Sequence, residues 1–174
     1  MLKKIAIAAA LVIAAVLGYA ATKPDTFRIQ RSATIQAPPE KIIAILDDFH
    51  RWPQWSPFEK YDPAMKRTHA GAARGKGAVY AWEGNSKAGA GRMEIVDVTP
   101  SHVLIDLRFL KPMEARNVAE FTLVPNGNAT TVTWSMHGPQ PFLNKVVCLF
   151  LDMDAMVGKD FEAGLASLKK NAEI

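Results

Sequence analysis

At 174 residues the chain makes about one ordinary domain, long enough to bury a sizeable core. Its 21 Lys and Arg against 17 Asp and Glu give a net charge of +4, and Lys3 and Lys4, which precede an apolar leader, supply half of it. So mild a balance excludes a nucleic-acid surface as the basis of function, and the single cysteine, Cys148, excludes an intramolecular disulfide.

Ile5 to Ala21 is free of charge and apolar on every side. As a helix it spans about 25 Å, a little under the roughly 30 Å of a bilayer core. We read residues 1–22 as a membrane anchor, with Tyr19 at the interface and Lys23 beyond it; bilayer thinning and snorkelling lysines absorb the mismatch. A cleaved secretory signal is the alternative, with small residues Gly18 and Ala20 before a cut. Either reading places the domain outside the cytoplasm, because the flanking lysines stay inside. The expected location is therefore a bacterial-type inner membrane, single-pass and facing the periplasm, or the periplasm itself after cleavage. No cysteine follows the apolar run, which excludes lipoprotein attachment.

Alternation over 27–36 predicts a first strand. Ala37-Pro38-Pro39-Glu40 starts a short helix, since proline suits a first turn and Glu40 suits its positive end. Residues 47–58 form a second short helix or turn, broken by Pro53 and Pro57. Residues 71–77 read as loop, and strands are predicted over 78–83, 88–99, 102–110, 114–124 and 129–137. Asn126-Gly127 is the strongest hairpin signal, because a tight primed turn needs positive φ at both central residues. Pro139 and Pro141 end the sheet. Asp152 to Lys170 then predicts a long amphipathic helix, with Phe150, Met153, Val157, Phe161, Leu165 and Leu168 on one face. The class is α+β: a curved antiparallel sheet of six or seven strands around one C-terminal helix, whose apolar stripe can be buried only on the concave side.

Reactive chemistry is hard to place. Gly71 to Gly77 superficially resembles a phosphate loop, but its spacing is one short, it lacks the metal-binding hydroxyl, and it leads into a strand. His50, His69, His102 and His137 show no ligand spacing, and Asp152 and Asp154 project to different sides of a helix. Cys148 sits in an apolar run and reads as a small hydrophobe. Lys66, Arg67, Arg74 and Lys76 read as a solvated loop. No catalytic residue or metal ligand is assigned, and no cofactor is implied. Asp97, Asp106, Arg108 and Glu120 suit the wet face of a sheet. Asn117 shares parity with inward positions; it orients a ligand's polar group or bonds neighbouring backbone.

The aromatic residues and methionines are more informative. Tyr80 and Trp82 share one side of a strand, as do Trp134 and Met136, while Phe109 continues the set Val103, Ile105, Leu107. The long helix faces them with Met153, Val157 and Phe161. These side chains either pack as core or line a cavity for an apolar ligand. Trp52 and Trp55 belong to a pocket rim or to a minor core.

Three segments carry a family resemblance: Ala37-Pro38-Pro39-Glu40, Trp52-Pro53-Gln54-Trp55-Ser56-Pro57, and the helix from Asp152 to Lys170 with Met156-Val157-Gly158-Lys159-Asp160-Phe161-Glu162 at its centre. Over residues 26–172 the chain resembles the polyketide cyclase/dehydrase branch of the START-like (SRPBCC, Bet v 1-like) superfamily. The resemblance implies a helix-grip fold and a hydrophobic small-molecule partner, a lipid, quinone or polyketide-like compound, released by movement around residues 52–55 and 139–144. The membrane is the second partner implied, through the N-terminus. Fold alone does not decide activity. A cyclase or dehydratase is the alternative and requires a titratable group in the pocket with a shifted pKa. A structural module with a filled core is the third.

Overall fold

Seven antiparallel strands account for the alternation in the computed structural model, which describes residues 1–174: β1 (Thr26–Ile35), β2 (Lys66–Gly71), β3 (Ala78–Glu83), β4 (Ala90–Thr99), β5 (His102–Lys111), β6 (Ala115–Asn126) and β7 (Ala129–Pro139). They form one sheet in the order β1-β7-β6-β5-β4-β3-β2, so β2 to β7 meander and β1 closes on β7. The Asn126–Ala129 pair closes the last hairpin around Gly127-Asn128; Gly127 alone has positive φ, at 60°, so the hairpin stands where expected but without the two positive-φ residues that the Asn126-Gly127 pair suggested. Register shifts at Ala90/Gly91 and Ile95/Asp97 interrupt the β4–β5 ladder, and such bulges bend a sheet.

Helix α1 (Leu2–Ala21) is the apolar leader, and α2 (Pro39–Leu46) begins at its proline as expected. Two 3₁₀ turns follow, Phe49–Gln54 and Pro57–Lys60, where proline breaks a longer helix. After the sheet come α3 (Phe142–Cys148) and α4 (Met153–Ala172). Helix α4 buries Phe161, Leu165, Leu168 and Ala172 against the concave face. Gly164 lets it approach closely, because a Cβ there would overlap Trp134 and Pro57. At the other half of the helix, Gly158 makes room for the guanidinium of Arg31, which pairs with Asp154 and Glu162, both at 2.9 Å.

Three sequence expectations are corrected, and one helix appears that none of them named. Lys66 and Arg67 lie on β2, not in a loop; its alternation is invisible because Lys-Arg-Thr-His is polar on both faces, and the backbone pairing with β3 holds it. Arg67 is largely shielded and pairs with the buried carboxylate of Glu59, whereas Arg74, in the expected loop and 55% exposed, pairs with the buried carboxylate of Asp47. The run Val146 to Phe150 is split between the separate helix α3 and the turn that follows it. Asp152 is the N-cap of α4, accepting from the Ala155 N–H, so the helical face begins later and Phe150 and Met153 lie outside the grip.

Strand register sorts the connections onto two ends of the sheet. Thr26 pairs with Pro139, Ala90 with Lys111, and Phe109 with Ala115, so α1, α3 and the loops 84–89 and 112–114 share one end. The turns at 100–101 and 127–128 occupy the other.

Candidate functional site: a cavity under the helix

Between sheet and α4 lies a cavity of about 220 Å³, with 15 of its 18 lining residues hydrophobic. Tyr80 and Trp82 line it from β3, Leu107 and Phe109 from β5, and Trp134 and Met136 from β7. Val157 and Phe161 cover it from α4, and Trp52 closes one side from the first 3₁₀ turn. Alternation explains the set: every sheet position named has the parity of the concave face, and they run from mid-strand at Tyr80 and Trp134 toward the α1 end at Trp82, Phe109 and Met136. The indole N–H of Trp82 donates to the Ala88 carbonyl and that of Trp52 to the Leu46 carbonyl, both at 3.0 Å, so neither presents an unpaired donor.

Three candidates fall outside. Trp55 is core, edge-on to Trp134 behind the cavity wall, which decides against a rim position. Asn117 does point inward and is buried, but its amide packs on Gly138, where a Cβ would overlap it, and does not reach the cavity. Met153 is 38% exposed on the first residue of α4, beyond the edge of the sheet.

Sequence reasoning missed the polar group in this apolar wall. Glu59, on the second 3₁₀ turn, lines the cavity while almost fully buried. It accepts from the Tyr80 hydroxyl at 2.6 Å and from Arg67 Nε at 2.7 Å. Burial and the Glu59 carboxylate together push the Tyr80 phenol well above its ordinary pKa. Both Glu59 oxygens are engaged, yet each keeps lone pairs with which to accept from a ligand hydroxyl. The signal available in the sequence was an inward tyrosine, which needs a partner when buried, together with an acidic residue just past the double-tryptophan turn.

At the mouth, exposed Lys87 and Tyr61 join the lining. Tyr61 donates to Asp160 on α4 at 2.6 Å, spanning the opening, and burial followed by this carboxylate pushes its phenol up to about 12. On the edge strand β2, His69 faces Tyr80 at 5.2 Å between rings and stacks on His50 at 4.1 Å, although the two histidines are nineteen positions apart in sequence. Burial, then the charge of His50, lowers the His69 pKa.

Residues 26–173 match the family model described as polyketide cyclase / dehydrase and lipid transport. The chain belongs to this family. Among solved structures, the Aha1 dimer of Colwellia psychrerythraea superposes with a TM-score of 0.61 at 19% identity, covering 85% of this chain and 97% of that one. Protein CV1439 of Chromobacterium violaceum gives 0.59 at 15% identity, covering 87% and 99%. The di-domain ARO/CYC StfQ of the steffimycin biosynthetic pathway gives 0.60 at 8% identity, covering 85% of this chain and 51% of that one. At such identities these likenesses speak for the fold, which is the helix-grip arrangement. No curated protein matches the sequence. Family membership makes the cavity that of a hydrophobic-ligand-binding fold.

Proposed function

We propose that residues 26–172 hold a hydrophobic small molecule, a lipid, quinone or polyketide-like compound, between sheet and α4, while residues 1–22 tether them to a membrane with the domain on the extracytoplasmic side. The observation that carries this reading is the cavity itself: open, walled by aromatic and aliphatic side chains, and holding one buried polar cluster at Glu59, Tyr80 and Arg67. At about 220 Å³ it falls short of the roughly 300–1,000 Å³ of drug-sized pockets. It suits a single ring system or a short chain segment, with any longer tail leaving through the mouth. That size also weighs against a filled core.

The Glu59–Tyr80 pair favours a second reading, a cyclase or dehydratase, because it is the titratable pair inside the cavity. Its geometry suits recognition better. Both carboxylate oxygens are already engaged, by Arg67 and by the Tyr80 hydroxyl, and burial together with that carboxylate holds the phenol protonated. Mass spectrometry of apolar compounds extracted from the purified full chain tests the proposal. A stoichiometric compound that is lost when Ala119→Trp fills the cavity supports it; an empty protein that binds no added lipid or quinone overturns it.

A further inference from the structure

Helix α3 lies where a membrane-crossing α1 would leave the bilayer. The 20 residues of α1 rise about 30 Å, close to the thickness of a hydrocarbon core. Ala20, in its last turn, is completely buried, and α3 is the element packed on α1. Lys145 of α3, buried in turn, donates to the Lys23 carbonyl at 2.8 Å and pairs with Asp25, which clamps α3 to the exit segment. An element that covers Ala20 and grips Lys23 sits at headgroup depth.

Helix α3 and the corner leading to α4 are also apolar on the outside. Phe142, Leu143, Val147, Phe150, Leu151 and Met156 are all exposed, Phe150 at 73%. Phe142, Leu143 and Val147 recur at one- and four-residue steps on α3, and Phe150 and Leu151 continue the apolar stripe through the turn that follows. Such a stripe on a monomer's surface marks an interaction site, and one at headgroup depth meets lipid first. The end of β5 and the loop 112–114 add exposed Leu110, Lys111 and Met113 at this same end of the sheet, where Lys87 and Phe109 line the cavity.

We propose that the α3–α4 corner is a second membrane contact, which inserts its apolar stripe into the bilayer interface and fixes the domain with its cavity mouth turned toward the lipid. This rests on α1 spanning the membrane. The domain then does not swing freely on a tether; the clamp at Lys145 and the stripe hold it in one pose, and an apolar ligand passes between bilayer and cavity without crossing bulk water.

The test uses the full chain in phosphatidylcholine vesicles containing lipids brominated along the acyl chain, with Cys148→Ser as background. An environment-sensitive fluorophore is placed in turn at Phe150→Cys, at Ala10→Cys within α1, and at Asn128→Cys on the opposite end of the sheet. The expected result is quenching at 150 approaching that at 10 and several-fold above that at 128. Quenching at 10 with 150 no more quenched than 128 overturns docking and leaves the tether standing. Absence of quenching at 10 overturns both. Shielding of 150 that depends on protein density and not on brominated lipid overturns the proposal in favour of a second copy of the chain on the stripe.

Discussion

Trp134 and Phe161 lie face to face, ring centroids 4.2 Å apart and planes within 6° of parallel. One ring belongs to the sheet and the other to α4, and both line the cavity, so a single contact joins the grip to the site. Phe161→Ala is expected to cost about 3 kcal/mol, the low end for such a truncation, because one side of the ring already faces open space. Urea denaturation measures it. A loss near zero would mean that α4 is not gripped through this face.

Glu59→Ala leaves the buried Tyr80 hydroxyl without its acceptor, at about 1–3 kcal/mol, while Arg67 keeps the Pro63 and Met65 carbonyls. Glu59→Gln keeps an acceptor and should cost less. Ultraviolet difference titration adds a direct check: in the intact protein Tyr80 should resist ionisation past the ordinary phenol range, and Glu59→Gln should bring it back toward that range.

Tyr61 and Asp160 bridge the mouth through one partly exposed hydrogen bond, so breaking it weakens closure by about 1 kcal/mol or less. Tyr61→Phe should therefore speed ligand release up to about fivefold, with stability nearly unchanged. Stopped-flow dissociation of a bound fluorescent fatty acid or quinone reads this. Identical off-rates in the two proteins would remove the bridge from the release path.

His69 has its pKa lowered in the folded state, so the unfolded chain takes up the proton first. Stability from this residue is complete above the ordinary value of about 6.5 and is lost as pH falls through the lower folded value. Thermal melts should show that decline, and His69→Asn should flatten it. A wild-type curve without slope between neutrality and pH 5 would be the opposite result.

Residues 1–22 should hold the protein in the membrane fraction, with the domain open to protease added from outside the cytoplasm. Lengthening the segment 22–26 with a Gly/Ser insert should slow loading from vesicles while leaving binding of dissolved ligand unchanged. A full-length protein recovered as a soluble cytoplasmic species would contradict the tether and the secretory reading alike.

Strands whose apolar residues alternate were legible in the sequence, as were the Asn126-Gly127 hairpin and the helix through Phe161 and Leu168, because burial on one face imposes a period. Strand β2 was not, since Lys66 to His69 contribute backbone pairing and almost no burial. Parity placed Tyr80, Trp82, Phe109, Trp134 and Met136 on the cavity side correctly. It could not separate Asn117 from them, because Asn117 faces the lining residue Leu107 across the strands and only its packing against Gly138 on the neighbouring strand takes its amide out of the cavity wall. Trp52 and Trp55, three apart on a tight turn, divide between cavity and core through an orientation that only the packed fold determines. Glu59 escaped because its partners are 8 and 21 residues away and meet it only once β2 and β3 are paired.

The two halves of α4 answer to different forces. Leu165, Leu168 and Ala172 hold the C-terminal half by exclusion of water, which added salt leaves intact or strengthens. The N-terminal half, which roofs the cavity at Val157, leans on Arg31 and the exposed carboxylates of Asp154 and Glu162, whose attraction is screened at moderate ionic strength. The helix is thereby a hinged beam, fixed at one end and ionically moored at the other. In the membrane pose proposed above, the moored end faces the bilayer, so counterions gathered at charged headgroups would loosen it beside the cavity mouth and leave the rest of the fold untouched.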